Sequence, residues 1–88
     1  MTQWNVYIVR CCDGTFYTGI ATDVARRVAE HNSHTQLAAR YTRTRRPVEL
    51  VYCERADSRS AALRREYEIK RLTRAQKNVL IQQGEVAP

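Results

Sequence analysis

Five side chains of this chain are of types that phosphodiester hydrolysis can use: Tyr7, Tyr17, Arg27, His31 and Glu66. One carboxylate, that of Glu66, can hold a single hard divalent cation such as Mg²⁺ or Mn²⁺, since Mg²⁺ takes oxygen ligands and keeps several waters. Such an ion would polarise a scissile phosphate, and Arg27 would neutralise charge on its other oxygens. A tyrosine near the ion and the guanidinium could ionise more readily and take a proton from water, which His31 could relay.

Each of these residues also has a structural explanation, which the residue types alone leave open. A tyrosine on a hairpin can be a half-buried packing residue, and an arginine on a helix can simply be solvated. His31 can lie at a helix end, where the helix dipole favours its charge. Glu66 can pair with an arginine.

A hairpin and a following helix are expected to position the first four residues. Residues 4–10 and 16–20 read as strands, and Cys12-Asp13-Gly14 suits a three-residue loop with Gly14 in the left-handed conformation. With that loop, Tyr7 faces Gly19 and Tyr17 faces Val9, so the two tyrosines are diagonal neighbours on one sheet face. A two-residue loop would place them on opposite faces.

The other face of the hairpin is expected to be core. Its members are the apolar residues of the opposite parity: Trp4, Val6, Ile8, Phe16 and Ile20. A first helix, capped by Thr22 or Asp23, should run to about residue 32, with Val24 and Val28 packing on the sheet and Arg27 and His31 as a neighbouring i, i+4 pair.

The second half adds a basic loop, a strand and two helices. Residues 33–46 read as a surface loop with one helical turn near residues 37–40, followed by a third strand over residues 48–54. A helix over about residues 59–72, capped by Asp57 or Ser58, has an apolar stripe of Ala62, Leu63 and Ile69. Glu66 falls within this stripe, where a carboxylate is costly unless it is paired, protonated or bound to a cation. Thr73 and Gln76 have capping-box spacing for a last helix to about residue 83, which Gly84 ends.

The charge balance favours nucleic acid as the partner. Fifteen Lys and Arg against nine Asp and Glu give a net charge of +6, and the basic residues are almost all arginine, whose planar fork suits phosphate. In the basic loop, arginines alternate with Tyr41, Thr42 and Thr44, a pattern that fits contact with a phosphate backbone. The candidate nucleic-acid-binding residues are Arg40, Arg43, Arg45, Arg46 and Lys70.

Composition excludes several other classes. The odd number of cysteines, Cys11, Cys12 and Cys53, with no CxxC pair, indicates neither a disulfide framework nor a zinc site, and we expect buried or half-buried thiols. No apolar stretch approaches the ~20 residues of a membrane span, and no signal peptide is visible, so a cytoplasmic location is expected. The length predicts a single domain over residues 1–88, with a core over about residues 3–82.

The arrangement resembles the GIY-YIG nuclease family. Val6-Tyr7 stands in the first motif and Tyr17-Thr18-Gly19 in the second. The helix signature with Arg27 and His31 follows, and the stretch from Ala62 to Lys70 contains the glutamate. More narrowly, the chain is similar to the small stand-alone bacterial single-domain branch (UPF0213-like), of which the run Tyr41-Thr42-Arg43 is typical. Asn5 and Thr18 replace a glycine and an isoleucine of the family motifs.

The resemblance implies an α/β (α+β) fold in the order β-β-α-β-α-α, with a three-stranded antiparallel sheet flanked by helices. It also implies a DNA nuclease site with one divalent ion bound by Glu66. Tyr7 would be the general base and Tyr17 its hydrogen-bonding neighbour near the water, while Arg27 would hold the phosphate and His31 would assist proton transfer. The expected function is a metal-dependent DNA endonuclease of low intrinsic sequence specificity. It would cut with little sequence preference, prefer a DNA structure, or rely on a protein partner for its target. Repair and recombination are the candidate roles, and no organic cofactor is expected.

The sequence leaves two other hypotheses about function open. One is a catalytically weak nucleic-acid-binding module of the same fold. The other is a protein–protein adaptor whose basic surface serves only solubility.

Overall fold

The computed structural model describes residues 3–33 and 37–84, which form a three-stranded antiparallel sheet with helices on both faces. The strands are β1 (Trp4–Cys11), β2 (Phe16–Ala21) and β3 (Val48–Ala56), in the spatial order β2-β1-β3. The helices are α1 (Val24–His31), the short α2 (Arg40–Arg43), α3 (Arg59–Lys70) and α4 (Arg74–Gln83). The predicted fold class and element order are confirmed.

The hairpin between β1 and β2 has the predicted three-residue loop. Gly14 has a φ of +85°, and its N–H donates to the Cys11 carbonyl at 2.9 Å. A left-handed φ of this kind is readily available to glycine because it lacks a Cβ. As predicted, Tyr7 lies opposite Gly19 and Tyr17 lies opposite Val9.

The two faces of the sheet bury separate apolar clusters. The α1 face carries the side chains that pack together under α1: Tyr7, Val9, Cys11, Ala21, Val24 and Val48, with Tyr17 and Val28 at their margin. The α3 face carries those that pack under α3 and α4: Val6, Ile8, Tyr52, Ala62 and Ile69, with Trp4, Phe16, Ile20, Leu80 and Ile81 around them. Alternation along β1 thus sends one set of side chains to each layer.

Side-chain caps fix where three of the helices begin. The Asp23 carboxylate accepts from the Arg26 N–H at the start of α1, and the Ser58 hydroxyl accepts from the Ala61 N–H at the start of α3. The predicted capping box of Thr73 and Gln76 starts α4, which Gly84 ends. These caps satisfy backbone donors that have no partner within a helix.

Some sequence predictions are wrong in detail. The helical turn of the basic loop is α2, three residues later than predicted, because buried Thr42 draws the turn toward α1. Leu63 is not in the apolar stripe of α3, since its side chain is 39% exposed, and Cys12 is exposed rather than half-buried. Cys11, Cys12 and Cys53 are free thiols. Among the described residues, no helix has the length and apolarity needed to cross a membrane.

Candidate active site

The centre of the site is a chain of hydrogen bonds buried between the sheet and α1. The Tyr7 hydroxyl lies 2.7 Å from His31 Nε2, and His31 Nδ1 lies 2.8 Å from the Thr42 hydroxyl oxygen. The Thr42 hydroxyl donates to the Ala39 carbonyl at 3.1 Å. His31 and Thr42 are fully buried, and Tyr7 is almost so.

These contacts determine which nitrogen of His31 carries the proton. A threonine hydroxyl has one hydrogen, and that of Thr42 is used on Ala39, so Thr42 must accept from His31 Nδ1–H. In the neutral imidazole Nε2 is then an acceptor, and the Tyr7 hydroxyl donates to it. The geometry therefore gives Tyr7 an acceptor for its own proton.

Burial keeps both groups neutral around pH 7 in the absence of a metal ion. Desolvation and, secondarily, the nearby Tyr17 raise the pKa of Tyr7 well above its usual value, although Arg27 acts in the opposite direction. Burial, assisted by the charge of Arg27, lowers the pKa of His31 to about 4. Without a metal ion, desolvation therefore outweighs the Arg27 guanidinium, which by itself lowers the pKa of Tyr7.

Gly19 explains how Tyr7 reaches this position. A Cβ built at Gly19 would lie 2.5 Å from the Tyr7 hydroxyl oxygen and 2.7 Å from its Cζ. The tyrosine thus lies directly across the backbone of β2. The glycine of the second sequence motif is needed here for space, because any side chain would displace the ring.

Tyr17 belongs to an aromatic stack that packs against His31. Its ring packs edge-on against the imidazole, with centroids 5.1 Å apart, and stacks on the Tyr41 ring at 5.8 Å. The Arg45 guanidinium carbon lies 4.0 Å above the centre of the Tyr41 ring. The two motif tyrosines accordingly flank one histidine, as the predicted register requires.

Arg27 lies beside Tyr7 with its side chain 29% exposed. Its Nη1 donates to the Glu30 carboxylate at 2.8 Å and to the Leu37 carbonyl at 2.7 Å. Burial by itself would lower the pKa of Arg27, but the bond to Glu30 and the nearby Tyr7 outweigh it, so its pKa is raised. The guanidinium is a fixed positive charge at the edge of the site.

Glu66 approaches from α3, on the other face of the sheet. Its side chain is 19% exposed, and Lys70 Nζ lies 3.5 Å from its Oε2. Glu66 therefore pairs with a lysine one helical turn away, and not with an arginine as the structural alternative proposed. The charge of Glu66 also reaches Tyr7, whose pKa it raises slightly.

The surroundings of Glu66 suit a divalent ion such as Mg²⁺ that takes few ligands from the protein, rather than an ion coordinated entirely by side chains. No group of three or more His, Cys, Asp or Glu side chains converges among residues 3–33 and 37–84. The half-buried carboxylate of Glu66 supplies one hard oxygen ligand. An ion such as Mg²⁺ keeps water and substrate oxygens as its other ligands. Glu66 would hold the ion.

Thr42 is the site residue that the sequence analysis missed. Its hydroxyl was grouped with the phosphate-contacting side chains of the basic loop, whereas it is fully buried against His31. The residue type alone does not indicate this role, although Thr42 stands in the run Tyr41-Thr42-Arg43 that is typical of the branch the chain resembles. This role depends on the loop folding back over α1, which brings Thr42 to His31.

The predicted nucleic-acid-binding arginines of the loop are partly occupied within the protein. Arg45 donates to the Asp13 carboxylate at 3.1 Å and to the Tyr41 carbonyl at 2.8 Å. Arg43 donates to the Ala38 carbonyl at 3.4 Å, and Arg46 donates to the Ser33 carbonyl. Arg40 is exposed at the start of α2.

Comparison with known proteins agrees with this fold and identifies the family. The model of the GIY-YIG catalytic domain matches residues 3–78, and the chain belongs to that family. Membership implies a nuclease domain that acts on DNA, in a family whose members are generally dependent on divalent metal ions.

Within the family, the chain is similar to UPF0213 proteins. It is 56% identical over 82 residues to one from Desulfotalea psychrophila, covering 93% of this chain and 74% of that protein. It is 58% identical over 76 residues to one from Halobacterium salinarum, covering 86% and 96%. The solution structure of a UPF0213 protein from Bacillus halodurans matches with a TM-score of 0.57 at 44% identity, covering 91% of this chain and 83% of that chain.

Proposed function

We propose that this protein is a divalent-metal-dependent DNA endonuclease whose chemistry is carried by Tyr7, Tyr17, Arg27, His31 and Glu66. The observation that supports this most strongly is the buried hydrogen-bond chain from Tyr7 through His31 to Thr42. A tyrosine with a raised pKa is a poor base unless its own proton has somewhere to go. Here an unprotonated imidazole nitrogen lies 2.7 Å from its hydroxyl.

In the proposed reaction, Tyr7 takes a proton from the attacking water as it passes its own proton to His31 Nε2. The water oxygen forms the new bond to phosphorus as the bond from phosphorus to the bridging ester oxygen breaks. The original Tyr7 proton ends on the imidazole, the water proton ends on Tyr7, and the leaving alkoxide takes a proton from solvent. The Thr42 hydroxyl continues to accept from Nδ1–H, so the imidazolium keeps both hydrogen bonds. A negative phosphate beside Arg27 offsets the charge that lowers the pKa of His31, which makes this transfer easier when substrate is bound.

The remaining residues position the substrate. Arg27 holds the phosphate and neutralises its developing charge, and the Tyr17 hydroxyl orients the water. Glu66 holds one Mg²⁺ or Mn²⁺ ion, which when bound would polarise the phosphate and stabilise the leaving oxygen. Lys70 keeps the carboxylate paired in the metal-free protein.

We expect low intrinsic sequence specificity. The family model occupies residues 3–78, which are the catalytic domain itself. A catalytic domain that grips mainly the phosphate backbone carries little sequence information. A role in DNA repair or recombination, with a protein partner or a DNA structure supplying the target, follows from this proposal.

Cleavage of supercoiled plasmid and of branched DNA tests the function, with Mg²⁺, Mn²⁺ or EDTA. Wild-type protein should cut only with a divalent ion, and Glu66→Ala should lose cutting. Glu68→Ala is the matched control, since it removes a carboxylate of the same helix whose side chain is 57% exposed. DNA binding without metal-dependent cutting by wild-type protein would instead identify a binding module of the same fold. Failure to retard DNA or RNA at low salt would favour a protein–protein adaptor.

A further inference from the structure

Two arginine–aromatic pairs lie at the hairpin end of β2, one on each face of the sheet. On the α1 face, Arg45 lies over Tyr41, which stacks on Tyr17. On the α3 face, the Arg74 guanidinium carbon lies 4.9 Å above the centre of the Phe16 ring. Phe16 and Tyr17 are successive residues of β2, so their side chains point to opposite faces.

Both arginines are held in place while remaining accessible to an anion. The side chain of Arg45 is 34% exposed and is tied to Asp13 in the hairpin loop. Arg74 is exposed at the first turn of α4, just after Lys70 and Arg71 at the end of α3. A guanidinium stacked on a ring loses less conformational freedom on binding phosphate than a free one does.

The position of the pairs relative to the cutting residues suggests what they bind. Strand β2 forms one edge of the sheet, and Tyr17 and Gly19 of the site lie on it. Lys70, which forms an ion pair with Glu66, lies shortly before Arg74 in the chain. A polyanion crossing this edge would meet a cation on each side of the cutting residues.

We propose that the backbone of a DNA strand crosses the edge of the sheet at the hairpin end of β2, with Arg45 and Arg74 as phosphate contacts on its two sides. This rests on the proposed nuclease function and specifies the substrate path. It moves half of the interface from the basic loop to the junction of α3 and α4. Arg45 and Lys70 were candidates from the sequence, whereas Arg74 was not.

The chain contains a matched control for Arg74. Arg59 is also the first residue of a helix and also lies over an aromatic ring, that of Trp4, at 5.7 Å. Trp4 begins β1, whereas Phe16 pairs with Arg10 near the other end of that strand. Six residues of strand separate the two positions by about 20 Å. Removing either arginine changes the net charge equally.

The test is binding of a short fluorescein-labelled duplex and a labelled branched DNA, by fluorescence anisotropy in EDTA over a KCl series. Arg74→Ala and Arg45→Ala should each weaken binding several-fold and reduce the slope of log K against log salt by about 1. Arg59→Ala should leave the slope unchanged. Arg74→Lys should keep the slope, and Arg45→Gln serves if Arg45→Ala fails to fold.

Four results would overturn the path. Arg74→Ala could bind with the wild-type slope, Arg59→Ala could lose as much as Arg74→Ala, or wild-type protein could fail to bind either DNA. An unchanged slope in Arg45→Ala or Arg45→Gln, with a reduced one in Arg74→Ala, would also reject a strand path that uses both faces. Cleavage by wild-type protein combined with an unchanged Arg74→Ala slope rejects the path alone. An Arg74-dependent slope without metal-dependent cleavage rejects the nuclease function and leaves the path standing.

Discussion

At the residue scale, a buried histidine is defined by the groups on its two nitrogens. His31 receives a proton donor at Nε2 and an acceptor at Nδ1, and it has no contact with bulk water. Among the described residues, every buried side-chain nitrogen and oxygen has a hydrogen-bond partner. The arrangement is stable because each buried polar atom has a hydrogen-bond partner. The hydrogen bonds also run in one direction, from Tyr7 to His31 to Thr42, because the Thr42 hydroxyl proton is donated to the Ala39 carbonyl.

Thr42→Val tests this direction. Valine matches the shape of threonine but cannot accept from His31 Nδ1–H, so a buried donor is left unpaired, which should cost about 1–3 kcal/mol of unfolding free energy. The Nε2–H tautomer should then gain population, since the Tyr7 hydroxyl can also accept. We expect cleavage to fall roughly tenfold or more, because Tyr7 loses its proton acceptor.

Nitrogen NMR of the imidazole and urea unfolding measure these effects. Thr44→Val is the control, since Thr44 is an exposed hydroxyl of the same loop and should change neither tautomer nor stability appreciably. If Thr42→Val kept the Nδ1–H tautomer and wild-type activity, the role assigned to Thr42 would be wrong.

At the element scale, the hairpin register brings the tyrosines to the histidine. The register depends on Gly14 closing a three-residue loop and on Gly19 leaving room for Tyr7. The two glycines do different work, one through its backbone conformation and the other through its missing side chain. This difference allows fold and site to be perturbed separately.

Gly19→Ala should damage the site directly. The new Cβ would lie 2.5 Å from the Tyr7 hydroxyl oxygen, so the ring must leave its bond to His31. We expect a loss of about 1–3 kcal/mol in unfolding free energy, as for other overpacked cores, together with loss of cleavage. Gly14→Ala is the comparison: it should cost about 1–2 kcal/mol through its positive φ but keep cleavage, since nothing lies within 4 Å of its Cβ. Equal cleavage by the two variants would argue against the proposed role of Gly19.

The hairpin also shows how far the sequence could predict this molecule. Parity and loop length were enough to place Tyr7 opposite Gly19, because a strand has a period of two and a one-residue error reverses every side chain. Capping signals located the starts of α1, α3 and α4 for a similarly local reason. Features fixed by neighbouring residues were therefore predicted well.

Features fixed by distant residues were not. The position of α2 and the burial of Thr42 depend on contact with His31, eleven residues away, which no local pattern encodes. Leu63 was assigned to the core because its spacing from Ala62 and Ile69 fits a helical apolar stripe. Spacing alone does not tell which edge of such a stripe the sheet will cover. The contact between Arg45 and Asp13 of the distant hairpin loop was likewise not predicted.

At the scale of the whole molecule, the site draws on both layers around the sheet. The tyrosines, His31 and Arg27 belong to the α1 face, while Glu66 comes from the α3 layer. A second carboxylate, that of Glu54 in β3, contacts α3 but has a different environment. Glu54 accepts from the Tyr52 hydroxyl at 2.7 Å and from Arg65 Nε at 3.0 and 3.2 Å. Glu54 is thus held by several hydrogen bonds, whereas Glu66 forms an ion pair with Lys70 at the longer distance of 3.5 Å.

This contrast predicts that substitutions of the two glutamates will have different effects on the free energy of unfolding. Glu66→Gln removes an i, i+4 ion pair and should change the unfolding free energy by less than about 0.5 kcal/mol. Glu54→Gln weakens hydrogen bonds to a charged group at a half-buried position and should cost about 1–3 kcal/mol. Urea unfolding of both variants, beside plasmid cleavage with Mg²⁺, gives the comparison. Cleavage should disappear in Glu66→Gln and persist in Glu54→Gln at temperatures where that variant is folded. A large stability loss in Glu66→Gln would identify it as a structural ion pair, because a carboxylate kept for a metal ion contributes little to folding.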